Sequence, residues 1–91
     1  MSRTYRRAQG AVDATVDDQV VLLSPIDFSY HSLDRVGGRV WALLEQPSSA
    51  DALVAALTVD FDVSPDQCRT DLEPFLEKMV SIGVLEVVPD H

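Results

Sequence analysis

An α+β domain, with an antiparallel sheet ahead of a group of helices, is predicted by three features of this 91-residue sequence. Short runs of β-branched and aromatic residues fill Ala11 to Leu33, helical spacing of apolar residues takes over from Val36, and prolines or glycines punctuate the later segments. A chain of this length with 46% hydrophobic residues can bury one modest core, so a single domain over residues 11–88 is expected.

The sheet is predicted as three strands near residues 12–16, 19–23 and 27–32. The Asp17-Asp18 and Ser24-Pro25-Ile26 links are short enough for hairpins, so a meander is the simplest arrangement. Val20-Val21-Leu22-Leu23 is apolar on both faces and reads as the central strand. The third strand alternates, with Phe28 and Tyr30 on one side and Asp27, Ser29 and His31 on the other, which is the pattern of a half-exposed strand.

Three helices follow. Val36, Val40, Leu43 and Leu44 form the first stripe, widened by Trp41 and stopped by Pro47. Gly37 and Gly38 each cost this helix about 1 kcal/mol against alanine, so close packing against a strand is the expected reason for at least one of them. Ser48 with Asp51 three residues later resembles a capping box and starts the second helix, whose apolar residues are Leu53, Val54, Leu57 and Phe61. Ser64-Pro65-Asp66-Gln67 is a stronger start for a third helix reaching about Ile82, with Gly83 as its left-handed stop. Pro74 inside it removes one amide bond, so a kink or a later start is expected. Val84 to Val88 can add a short terminal strand, and the whole plan is winged helix-turn-helix-like with the wing moved to the N-terminus.

The net charge is −8 and unevenly spread. Arg3, Arg6 and Arg7 lie in an otherwise polar, aperiodic first decade, expected to be a disordered basic tail over residues 1–10, while residues 11–91 carry four basic and fifteen acidic side chains. Such a body repels phosphate backbones, which argues against nucleic acid as a partner. No run approaches the ~20 apolar residues of a membrane-spanning helix, and the single cysteine, Cys68, fits a reducing cytoplasm.

The residues carry little reaction chemistry. Asp27, Ser29 and His31 would stand at steps of two on one strand face, roughly 6 to 7 Å apart, too far for a nucleophile and its base. Cys68 falls on the apolar stripe of the third helix and reads as a packing residue, and two histidines sixty positions apart, His31 and His91, offer no metal-ligand spacing. No catalytic residue, metal or cofactor is expected. His31-Ser32-Leu33 is similar to the serine site of acyl and peptidyl carrier domains, which makes a carrier modified on Ser32 an alternative; another is a different winged-helix protein-interaction module.

From Tyr30 to Leu85 the chain resembles the PqqD-like family. The resemblance is carried by Leu33-Asp34 leading into Val36-Gly37, then Val40-Trp41 and Leu43-Leu44, Leu53-Val54 and Leu57, Phe61-Asp62-Val63, Asp71-Leu72, Phe75-Leu76 and the close at Gly83-Val84-Leu85. Pro74 and Gly38 depart from it. It implies a stand-alone recognition element for ribosomally made peptides of the lasso type: a non-catalytic adaptor that binds the leader of a precursor peptide by strand addition. The partners it implies are that leader, a leader peptidase and an ATP-dependent macrocyclase. The pairing edge would then be Phe28, Ser29, Tyr30, His31, Ser32 and Leu33, with Arg69, Leu72, Glu73 and Leu76 as the helical wall. The acidic body would speed capture of a basic leader.

Overall fold

The computed structural model describes residues 3–89. Its central sheet is the expected meander of β2 (Val12–Val16), β3 (Gln19–Leu23) and β4 (Tyr30–Leu33), all antiparallel, in the order β2-β3-β4. Asp17 and Asp18 both adopt left-handed φ, 50° and 65°, which gives the two-residue turn the twist the flanking strands need. The pairing Leu22↔His31 and Val20↔Leu33 places these four side chains on one face. Leu22 is fully buried and Leu33 nearly so, which marks that face as the inner one.

The third strand is shorter than expected. Residues 24 to 29 form a closed loop instead: the Ser24 amide donates to the Ser29 carbonyl at 2.9 Å, and the Phe28 amide to the Ser24 carbonyl at 3.0 Å. Closing this loop turns Phe28 to φ 61°, a conformation that costs an L-residue about 1–2 kcal/mol. The Ser24 hydroxyl is buried and donates to the Ile82 carbonyl at 2.6 Å, which ties the loop to the end of the last helix.

A second sheet has the order β5-β1-β6 and corrects the expectation of a disordered tail. Thr4–Arg7 forms β1, with β6 (Leu85–Val87) on one side and the two-residue β5 (Ser48–Ser49) on the other. A single apolar side chain does the work that periodicity would have advertised. Tyr5 is buried in the core, and Arg7 lies 4.3 Å from the Trp41 ring centroid while donating to the Trp41 carbonyl at 2.6 Å. Residues 1, 2, 90 and 91 of the expected tail and terminus, His91 among them, lie outside the described residues.

The helices are α1 (Arg35–Leu43), α2 (Ala50–Asp60) and α3 (Pro65–Ser81). Asp34 caps α1, accepting from the Gly37 amide at 2.7 Å, and Ser64 caps α3 as expected, accepting from Gln67 at 3.2 Å. The cap of α2 is Ser49 rather than Ser48: the Ser49 hydroxyl accepts from the Ala52 amide at 3.1 Å, while the Ser48 hydroxyl donates to the Gln46 carbonyl. α3 starts at Pro65 and continues through Pro74. One core joins Leu22 and Leu33 to Val40 and Trp41 of α1 and its C-cap Leu44, to Leu53 and Leu57 of α2, and to Leu72, Leu76 and Met79 of α3.

Candidate functional site

β4 pairs with β3 along one edge only, and among the described residues no strand occupies its other edge. The C-terminal segment, which could have filled it, pairs with β1. The chain around β4 is held to α3 at two points. At one end the Ser24 loop meets Ile82, and Ile26 packs so closely on Gly83 that a Cβ there would fall 2.7 Å from Ile26 Cδ1. At the other, Gly37 lies against Phe75, with a Cβ position 3.2 Å from its ring. β4 lies in sequence between these two contacts, which tie the loop before it and the helix after it to α3.

Where β4 passes into α1, a groove of about 330 Å³ opens between α1, the end of α2 and α3. Val36, Phe61, Val63, Leu72 and Phe75 give it apolar walls, and Asp34 and Asp71 are its charged lining residues. Cys68 lines it too; burial, and then the nearby Asp71 carboxylate, push its thiol pKa up, so it stays protonated and serves as apolar surface. Arg35 stands over the Phe61 ring, 5.4 Å from its centroid.

The expected site residues divide into three groups. Tyr30, His31, Ser32 and Leu33 form β4, and Phe28 and Ser29 lie in the loop just before it; Phe28 and Tyr30 project into solvent, 71% and 76% exposed, while Leu33 is core. Leu72 reaches the groove wall although it is 4% exposed. Leu76 is fully buried, and Arg69 and Glu73 lie elsewhere, lining a polar pocket with Arg3, Tyr5, Asp51 and Glu77. Arg69 pairs there with Asp51, and that hydrogen bond first, then the Asp51 charge, raises its pKa. At 100° per residue, Cys68, Asp71, Leu72 and Phe75 share one face of α3, whereas Arg69, Glu73 and Glu77 share another. In the sequence Cys68 and Phe75 read as core residues of the third helix, Val36 and Phe61 as residues of the first two helical stripes, and Val63 and Asp71 as parts of the family pattern; helical spacing alone marks none of them as a groove wall.

Two chemical readings are also corrected. Asp27, Ser29 and His31 are not 6 to 7 Å apart: Ser29 Oγ donates to Asp27 Oδ1 at 2.6 Å and stands 2.8 Å from His31 Nε2, because Asp27 and Ser29 sit in the loop and not on the strand. The serine occupies the centre of this chain and gives its proton to the carboxylate, whereas an activated serine needs the imidazole in the middle. Ser32 lies inside β4 and not at a helix start, which removes the carrier-protein geometry.

The family model for PqqD, coenzyme PQQ synthesis protein D, matches residues 19–85. The chain belongs to the PqqD family. This PqqD-family chain is similar to TbiB1, solved in complex with the TbiA(beta) leader peptide, with 33% identity, 93% of this chain and 99% of that one covered, and a TM-score of 0.82. It shares its fold with the PqqD truncation of Methylobacterium extorquens PqqCD, a functional stand-alone recognition element for ribosomally synthesised and post-translationally modified peptides. That match has 22% identity over 91% of this chain and 88% of the other, at a TM-score of 0.75. No curated protein sequence matches it.

Proposed function

We propose that this PqqD-family protein is a non-catalytic adaptor that holds the leader of a ribosomally made precursor peptide. The leader adds as a strand along the free edge of β4, with apolar side chains directed into the groove between α1 and α3. The observation that carries this reading is the β4 edge, unpaired among the described residues, with the groove opening at Asp34, the residue that follows the strand. Backbone hydrogen bonds to the edge supply affinity, and the groove supplies choice among sequences. The leader complex of the similar TbiB1 supports it.

On this reading the pairing residues are Phe28, Ser29, Tyr30, His31, Ser32 and Leu33, with Val36, Leu72 and Phe75 forming the wall. The adaptor works in the cytoplasm and presents the leader to a leader peptidase and an ATP-dependent macrocyclase of lasso-peptide type. The free, buried Cys68 is consistent with that compartment. The test is fluorescence polarisation of a labelled cognate leader with wild type and with Val36→Asp, a 43%-exposed groove residue whose replacement leaves the core untouched. Saturable binding by wild type and at least ~10-fold weaker binding by the variant are expected, a loss of about 1.4 kcal/mol or more. A wild-type protein that ignores the leader would sink the proposal.

A further inference from the structure

β2 is the other edge strand of the central sheet: β3 pairs along one side of it, and among the described residues no strand pairs along its second side. All five of its residues are exposed, on both faces of the sheet, so the strand projects past the core. Neither proline, lysine nor a bulge interrupts Val12–Val16, and those are the usual devices that keep an open edge from pairing. Its one charge, Asp13, is already engaged, accepting from Trp41 Nε1 at 2.6 Å and lying 3.9 Å from Arg7.

The turn decides which backbone groups this edge offers. Asp17 and Asp18, both left-handed, make a two-residue hairpin, in which the flanking residues Val16 and Gln19 exchange both their hydrogen bonds. Alternation then makes Ala14↔Val21 and Val12↔Leu23 the other bonded pairs of the ladder. The amides and carbonyls of Asp13 and Thr15 are left facing the open side.

An antiparallel copy of the same strand fits what is offered. With Ala14 at the centre, Asp13 stands opposite Thr15 of the second copy, and these are the positions whose backbone groups point outward, so each such pair closes its hydrogen bonds. Val12 stands opposite Val16 of the second copy in the closer, non-bonded kind of pair, which covers side chains that are 53% and 55% exposed in one chain. No carboxylate meets a carboxylate across the seam. Asp13 faces a threonine hydroxyl, and the Asp17-Asp18 turn reaches past the paired segment to Ala11 and Gly10 of the other copy.

We infer that this chain pairs with a second copy of itself along β2, which joins the two central sheets into one with the strand order β4-β3-β2-β2-β3-β4. The same patch serves on both copies, so the contact closes at a dimer. Both β4 edges stay open at the two rims, and the inference does not depend on the adaptor reading. The seam is short and each body carries a net charge of −8, so association is weak and salt tightens it.

The experiment is sedimentation equilibrium of the full chain from about 10 μM to about 1 mM, the range of a weak association. The average mass should rise from 10.0 kDa with concentration and level off at twice that value, with the midpoint at lower concentration in higher salt. Thr15→Pro removes an amide that faces the open side and leaves the β3 ladder intact, and Val16→Glu sets an acid opposite Val12; each should weaken the dimer at least ~10-fold. Val12→Lys combined with Val16→Glu in one chain sets lysine opposite glutamate and should return the midpoint to within about threefold of wild type, a rescue that misfolding cannot imitate. Circular dichroism checks the fold of every variant. A wild type that stays monomeric throughout, single variants that dimerise like wild type, or a double variant without rescue overturns the inference. Growth beyond a dimer also overturns it, in favour of open-ended pairing of β2 with β4 of the next copy. Loss of leader binding in wild type would fall on the adaptor reading alone.

Discussion

Gly37 sits against Phe75 so closely that a Cβ on the glycine would lie 3.2 Å from the ring, and 3.1 Å from the Asp34 carboxylate that caps the same helix. The contact joins α1 to α3 at the mouth of the groove. Gly37→Ala gains about 1 kcal/mol of helix propensity and loses a comparable amount by displacing the ring and the cap. Chemical denaturation should find stability within about 1 kcal/mol of wild type, while the labelled leader binds several-fold more weakly because a groove wall has moved. An unchanged affinity would separate Phe75 from the binding surface.

Leu76 and Phe75 are sequence neighbours with different work. Leu76 is fully buried and Phe75 half-buried in the groove wall. Leu76→Ala should cost about 2–5 kcal/mol in urea unfolding, by lost burial and a residual cavity. Phe75→Ala should cost less and weaken leader binding more, as a titration of each folded variant will reveal.

Trp41 joins three elements, donating through Nε1 to Asp13 on β2 and facing the Arg7 guanidinium of β1. Trp41→Phe keeps a ring but removes that donor and weakens the cation–π contact. A loss of about 1–2 kcal/mol is expected. If β1 depends on this ring, amide hydrogen exchange at Tyr5 and Arg6 should accelerate in the variant.

The Ser29 hydroxyl, then the Ser29 backbone amide, donates to Asp27 and holds its carboxyl below the ordinary 3.8. A depressed folded-state pKa stabilises the native state above the unfolded value, and that contribution disappears as pH falls through the folded value. Wild type should therefore melt higher than Asp27→Asn at pH 7. The gap should close as the pH is lowered below 3.8, and a constant gap would contradict the hydrogen-bonded loop.

A body carrying fifteen acidic side chains should attract a basic leader at long range. Raising salt from about 0.05 to 0.5 M is expected to slow association several-fold, with a smaller change in dissociation, in stopped-flow fluorescence. A salt-independent association rate would remove steering from the account.

The sequence by itself determined the elements whose evidence is local. Ser64-Pro65 begins α3, Asp17-Asp18 turns β2 into β3, and the apolar stripes of α1 and α3 lie where their spacing put them, since caps, turn dihedrals and helical period act within a few residues. The family resemblance was legible for the same reason, being a string of core positions in order.

Only the tertiary structure decided three matters. Thr4–Arg7 became a strand because β5 and β6, about forty and eighty residues away, supplied its hydrogen bonds, and no local pattern records partners at that distance. Arg69 and Glu73 were separated from the groove because the rotation of α3 is set by which side chains the core accepts. Asp27 and Ser29 left the strand because the buried Ser24 closed a loop on them. Long-range pairing and burial are properties of the assembled chain, and they outweigh local preferences of ~1 kcal/mol per residue or less.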